Sequence, residues 1–283
     1  MIRTVCVAGA GTMGSGIAQC AAQHGFQVML LDPFDEALNR AKQTIEKSIG
    51  QLVVKQKINE TEAADWMSRL QYTSDIQDAV CDLLIEAIIE KPQPKIDLLK
   101  QIAAINPPET MLASNTSSLS IQLLQNNCIH PERIAGLHFF NPATLMKLVE
   151  VVSTENTSHH TTEALVSFCK QLNKVPVTCT DSPGFIVNRV ARHYYLEAMR
   201  LVEHGIADIE SIDQIMTATG FKMGPFTLMD LIGMDINLAV SQSLYDAFGQ
   251  PARLKPSALQ EQKVSDGLLG RKTGKGFYTY DNA

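Results

Sequence analysis

The chain has 283 residues, 45% of them hydrophobic and 19% charged, with a formal net charge of −6. That length and balance fit a globular protein of one large or two smaller domains. No Lys/Arg-rich block offers a nucleic-acid surface, no apolar run approaches membrane-spanning length, and an anionic ligand must depend on local positive charge.

The amino terminus, "MIRTVCVAGAG", is short and runs into glycines where a secretory signal would have its cleavage site. It also lacks an Arg/Ser-rich presequence, so the reading is cytoplasmic. Residues 4–9 form a β-rich run, residues 12–24 a helical one, and residues 27–32 a second buried strand. Between the first two lies Gly9-x-Gly11-x-x-Gly14. Alone the pattern is weak. Here it follows a strand, opens a helix and has Asp32 at the end of the next strand, which is the context of a dinucleotide-binding unit. Gly9 permits the tight turn, Gly11 lets backbone approach a pyrophosphate, Thr12 and Met13 open the helix, and Gly14 allows close helix–strand packing. Asp32 would accept from the adenosine ribose hydroxyls and repel a 2′-phosphate, which favours NAD over NADP. Arg40, on the helical segment beyond, reads as a solvated charge.

Residues 35–70 are charged and helix-forming, with no strand, and look like a helical hairpin standing off the sheet. Further strands are expected at residues 82–88, 110–115, 134–140, 147–152 and 175–180. The alternation predicts a Rossmann-like α/β domain with a mostly parallel sheet. After Pro183 and Gly184 the pattern becomes helical, over residues 186–203, 209–219, 225–247 and 256–266. The boundary is placed near Asp181, giving an NAD-binding domain at 1–181 and an all-α domain at 182–283. The cysteines Cys6, Cys20, Cys81, Cys128, Cys169 and Cys179 form no C-x-x-C pair and mostly sit in apolar company. Reduced core cysteines are expected, with neither a disulfide framework nor a metal site.

The stretch "GLHFFNPATLMKLVEVV" is nearly all apolar, yet it carries His138 and Glu150. Strand period puts Leu148, Glu150 and Val152 on one face. A carboxylate buried there is costly unless paired. If the two strands are neighbours, Glu150 accepts from one imidazole nitrogen, fixes the tautomer and raises the basicity of the other. Such a dyad suits alcohol oxidation, in which the imidazole takes the hydroxyl proton as hydride leaves for a nicotinamide. The plain alternative is a satisfied core histidine with a structural ion pair. The preceding dinucleotide unit, which needs an acid/base partner, tips the reading towards catalysis.

With these residues in hand, the chain resembles the 3-hydroxyacyl-CoA dehydrogenase family, including the short-chain 3-hydroxybutyryl-CoA dehydrogenases. The resemblance covers nearly the whole chain and rests on "GAGTMGSGIA", "EAIIE", "SNTSSL", "GLHFFNP", "KLVEV", "DSPGFIVNR", "MGPFTLMDLIGMD" and "GRKTGKGFY" in this order. It implies NAD-dependent oxidation of (S)-3-hydroxyacyl-CoA to 3-oxoacyl-CoA. It implies a catalytic quartet: His138 as base, Glu150 orienting it, Ser117 bonding the substrate's 3-oxygen and Asn188 helping to hold the reacting atoms. Ordinary helix capping is the alternative for Ser117 and Asn188. The resemblance also places Glu90, Lys95, Asn115, Ser117, Asn141 and Lys272 on the cofactor, and Ser48 and Lys55 on coenzyme A. Pro92 and Pro94 depart from the family's usual run and would stiffen a loop before Lys95. A homodimer formed through the helical domain is implied, in the stand-alone arrangement with no fused crotonase-like domain. Two other classes stay open. A dehydrogenase of small β-hydroxy acids would share the glycine loop but use a catalytic lysine. A non-catalytic NAD-binding protein would reuse the fold, as lens crystallins related to the family do.

Overall fold

Short aliphatic runs set the architecture of the first of two units, Met1–Ser182 and Pro183–Ala283, in a computed structural model that describes residues 2–280. The first unit comprises β1 (Thr4–Ala8), α1 (Thr12–Gln23), β2 (Gln27–Leu31), α2 (Asp35–Val54), α3 (Glu60–Ser68), β3 (Leu70–Thr73), β4 (Leu83–Glu86), α4 (Pro92–Ile105), β5 (Met111–Ser114), α5 (Ile121–Gln125), β6 (Ile134–Phe139), β7 (Leu148–Ser153), α6 (His159–Gln171) and β8 (Val175–Thr180). Its strands make one eight-stranded sheet in the order β3-β2-β1-β4-β5-β6-β7-β8. Every neighbouring pair is parallel except β6 with β7. Strands β4, β5 and β6 are buried along their whole length, as expected where helices cover both faces. Val7, Leu30, Leu83, Ile85, Leu137 and Phe168 belong to that core. Burying each contributes roughly 1.5–3 kcal/mol. From β1 the chain order runs outwards in both directions, so the crevice at the carboxyl ends of β1 and β4 is the topological switch point.

Helix α2 buries Leu38, Ala41, Ile45 and Ile49, a helical stripe, and α3 starts on an Asn59/Glu62 capping box. The hairpin is therefore present, but it ends at a strand that the sequence reading did not foresee. Segment β3 is four residues long and buries only Leu70. Its identity comes from pairing with β2, a tertiary effect that local pattern does not carry.

The second unit holds α7 (Val187–Glu203), α8 (Ile209–Ala218), α9 (Pro225–Ile232), α10 (Met234–Ala247) and α11 (Ala258–Ser265). Leu196, Met199, Ile212, Phe226, Met229 and Met234 form its core. The stretch 225–247, expected as one helix, is two. Gly233 sits at φ 101°, which side chains rarely adopt, and it separates α9 from α10. Apolar residues continue through the break, so periodicity conceals it.

Two buried carboxylates tie this unit together. Asp230 is 1% exposed and accepts from the amides of Phe277 and Tyr278 and from the Tyr280 hydroxyl, each at 2.9 Å. Asp213 on α8 accepts from the amides of Phe226 and Thr227, at 2.9 and 2.8 Å, at the start of α9. Burial, then Asp230, pushes the Tyr280 phenol up to about 12. Asp230→Ala leaves three donors without their acceptor and is expected to cost about 3 kcal/mol. Urea unfolding checks this, and an unchanged midpoint would sink it.

Among the described residues no helix is long and apolar enough to cross a membrane.

Candidate active site

Gly9, Asp32, Asn115 and Asn141 follow the carboxyl ends of the parallel strands β1, β2, β5 and β6. A Cβ added to Gly9, at φ 105°, would lie 2.6 Å from the Ala87 carbonyl oxygen, and one on Gly14 would lie 1.7 Å from the Gly9 carbonyl oxygen. Backbone packing claims both positions. Gly11 differs, because a Cβ there would meet nothing within 4 Å. It is the N-cap of α1 and makes no side-chain cap. Thr12 and Met13 follow as the first helical residues, whose amides lack intrahelical partners. Open space in front of uncapped amides fits the pyrophosphate of a dinucleotide.

Asp32 follows β2. One carboxylate oxygen accepts from the Ala10 amide at 2.8 Å, the other from the Phe34 amide at 3.1 Å. It lies with Gly11, Thr12, Arg40, Ser48 and Asn141 around a cleft of about 550 Å³. Its charge suits ribose hydroxyls and opposes a 2′-phosphate. Arg40, largely exposed, reaches Glu36 at 3.9 Å. Ser48 accepts from the Gln19 amide side chain at 3.0 Å. Lys55 is the exposed C-cap of α2.

At the ends of β4 and β5 lies a polar network. Lys95 Nζ stands 2.6 Å from Glu86 Oε1 and 3.1 Å from Glu90 Oε2. Glu86, with no exposure, also accepts from the Ser114 hydroxyl at 2.6 Å and the Ile88 amide at 2.8 Å. Glu90 Oε1 accepts from the Thr116 hydroxyl at 2.5 Å and the Ser117 amide at 3.0 Å. Burial pushes the Glu90 carboxyl up, but the Lys95 ammonium, the Thr116 hydroxyl and the Ser117 amide outweigh it and hold it below its ordinary value. Pro92 and Pro94 lie in the first turn of α4, where a missing N–H costs nothing. They start a helix and do not stiffen a loop. Lys95 is thereby turned into the protein at 1% exposure, unlike the surface lysine that its type suggests.

Strands β6 and β7 set His138 directly opposite Glu150. His138 Nδ1 lies 2.7 Å from Glu150 Oε2, with the two side chains 8% and 1% exposed. A carboxylate can only accept, so Nδ1 is the donor of this hydrogen bond. The Phe140 ring packs against the imidazole, centroids 4.5 Å apart. Asn115 Oδ1 accepts from the Phe139 amide at 2.8 Å and pins the end of β6. Lys174 Nζ donates to the carbonyls of Ala143 and Met146, at 2.6 and 2.8 Å, and anchors the turn that carries Asn141.

Asn188 is in the first turn of α7, and Lys272 in a 3-10 turn over Arg271–Thr273, both in the second unit. Lys272 Nζ is paired with Asp235 at 2.5 Å. Ser120 caps α5 by accepting from the Leu123 amide at 3.2 Å, and the N-cap of α7 is Ile186. Sequence reasoning missed Glu86 and Lys174. The signal for Glu86 was the one that served for Glu150: a carboxylate closing an apolar run.

Residues 4–182 match the family model of the 3-hydroxyacyl-CoA dehydrogenase NAD binding domain, and residues 184–280 that of its C-terminal domain. The chain belongs to the 3-hydroxyacyl-CoA dehydrogenase family. This dehydrogenase, an NAD-dependent enzyme by that membership, is 46% identical to the 3-hydroxyadipyl-CoA dehydrogenase of Escherichia coli over 99% of its own length. It spans 59% of that longer protein. It is 45% identical to a probable 3-hydroxybutyryl-CoA dehydrogenase of Deinococcus radiodurans, with 97% and 99% of the two chains covered. The crystal structure of (S)-3-hydroxybutyryl-CoA dehydrogenase from Ralstonia eutropha matches it with a TM-score of 0.95 at 39% identity, covering 100% of each chain.

Proposed function

We propose that this dehydrogenase oxidises short-chain (S)-3-hydroxyacyl-CoA, 3-hydroxybutyryl-CoA in particular, to 3-oxoacyl-CoA, and catalyses the reverse, with His138 as the acid/base. The observation that carries this is the buried contact between His138 Nδ1 and Glu150 at 2.7 Å in a chain of this family. NAD, when bound, accepts the hydride from the carbinol carbon. His138 Nε2 takes the hydroxyl proton in oxidation and returns it in reduction. Glu150 holds the ring and stabilises the imidazolium that forms. In this proposal Ser117 bonds the 3-oxygen and Asn188 helps to hold the reacting atoms. Gly9, Gly11, Thr12, Met13, Gly14, Asp32, Glu90, Asn115, Asn141 and Lys272 serve the cofactor. Ser48 and Lys55, both near the middle or end of α2, serve coenzyme A. A homodimer through the second unit is part of the reading, supported by the exposed Val190, Ile206, Ile215 and Phe221 on that unit. So is a cytoplasmic setting, supported by six free cysteines.

The test is NADH oxidation with acetoacetyl-CoA, beside free acetoacetate and beside NADPH. Activity confined to the thioester is expected. Equal activity with free acetoacetate would remove coenzyme A from the reading, and a folded, NADH-binding protein with no turnover would overturn it. Asp32→Ala should narrow the preference for NADH over NADPH by about tenfold or more, since a like charge facing the 2′-phosphate is gone. The ratio of the two kcat/KM values measures it, and an unchanged ratio would assign the discrimination elsewhere.

A further inference from the structure

We infer, on the NAD-binding reading above, that Lys174 is a positioning residue for the cofactor: its buried ammonium holds the 142–146 turn as a wall of the nucleotide cleft that is finished before NAD arrives.

The turn has the cleft on one side and Lys174 on another. Asn141, Ala143 and Thr144 line the cleft together with Gly11 and Thr12 at the start of α1. Helix α1 also packs on the turn, since a Cβ added to Gly16 would lie 3.3 Å from the Ala143 Cβ. That contact keeps the turn from moving in towards the helix. Lys174 keeps it from moving out. Within the turn the amides of Leu145 and Met146 both donate to the Pro142 carbonyl, each at 2.9 Å. A buried carbonyl needs a donor, and Ala143 is 3% exposed. Lys174 Nζ donates to the Ala143 carbonyl at 2.6 Å and to the Met146 carbonyl at 2.8 Å. Bonds from an ionised donor of this kind are roughly twice as strong as neutral ones.

The lysine is itself well fixed. It is 8% exposed, so its ammonium has exchanged water for these carbonyls. Its own amide donates to the Cys169 carbonyl at the end of α6, at 2.9 Å, and the next amide, that of Val175, donates to the Lys147 carbonyl at 2.7 Å. Lys174 thus reaches from the junction of α6 and β8 to the turn just ahead of β7. Cys20, one helical turn beyond Gly16 on α1, lies beside the ammonium. Burial pushes its thiol up against the opposing pull of Lys174, so the neighbour on that side is a neutral thiol. Without the ammonium the Ala143 carbonyl would be buried without this donor, and the turn would swing towards water and take Asn141 with it. The His138–Glu150 pair would not follow, because the ladder of β6 and β7 holds it. Cofactor affinity should therefore depend on Lys174 far more than turnover does.

Lys174→Met keeps the reach of the side chain and removes its donors. The NADH dissociation constant, read by fluorescence, should rise about ten- to a hundredfold. The kcat for acetoacetyl-CoA reduction at saturating NADH should fall by no more than about threefold. A merely structural lysine would lower the unfolding temperature and leave the affinity of the folded protein as it was. A folded variant that binds NADH like the parent would therefore overturn the inference, and so would a kcat that falls as far as the affinity. Hydrogen exchange of the unaltered protein tests the same point even if the variant does not fold. The Leu145 and Met146 amides should exchange slowly already without NADH, and no more slowly with it. Fast exchange that only NADH slows would overturn the inference, because the cofactor and not Lys174 would then build the wall. A parent that binds no NADH would defeat the NAD reading itself, while exchange in its absence would still report whether the turn is held.

Discussion

His138→Ala is expected to lower kcat for acetoacetyl-CoA reduction by roughly a hundred- to ten-thousand-fold, with NADH affinity unchanged. The reason lies in what Nε2 does. In the proposed reaction Glu150 holds Nδ1, and Nε2 carries the proton to or from the substrate oxygen. Glu150→Gln should act in the same direction. It keeps a hydrogen-bonding oxygen but removes the charge that stabilises the imidazolium. Steady-state kinetics with an NADH titration measure both variants. Turnover by His138→Ala within a few-fold of the parent would mean that the base has been misassigned and that the dyad is a structural ion pair.

Gly14→Ala should abolish measurable NADH binding and cost about 3 kcal/mol of stability. The added methyl would stand 1.7 Å from the Gly9 carbonyl oxygen and 2.9 Å from the Gly9 carbonyl carbon. Both are backbone atoms, so no flexible side chain can give way. Helix α1 must lift from β1, and its amino-terminal amides move with it. Gly11→Ala makes the contrast. Its methyl meets nothing within 4 Å, so folding should be untouched. It enters the space that a pyrophosphate would take, so NADH binding should still fall. Thermal unfolding and fluorescence titration of the two variants separate the effects. Parent-like NADH affinity in Gly14→Ala would refute the packing argument.

What the sequence made legible was what local rules govern. The strands of the sheet interior announce themselves as aliphatic runs because both of their faces are buried. The pairing of His138 with Glu150 was legible because a carboxylate at a core position of a strand needs a partner. Three features were not legible, for three reasons. Strand β3 owes its state to its neighbour β2. The break at Gly233 hides inside an unbroken apolar run. The inward turn of Lys95 depends on two glutamates that come together only when β4 and α4 pack. The candidate site divides in the same way: the meeting of His138 with Glu150 was readable, but the network of Glu86, Glu90 and Lys95 was not.

The reversal of direction between β6 and β7 has a further consequence. Because it is antiparallel, this pair needs no crossover helix, and residues 140–147 suffice to join it. His138 and Glu150 are only twelve positions apart. Their meeting depends on one short stretch of chain and on strand register, which Gly136 helps to hold, since a Cβ there would lie 2.8 Å from the Val152 Cβ. A single inserted residue ahead of Glu150 in β7 would turn its carboxylate to the opposite face of the sheet. One frame slip in this short segment would thus part His138 from Glu150 without altering either residue.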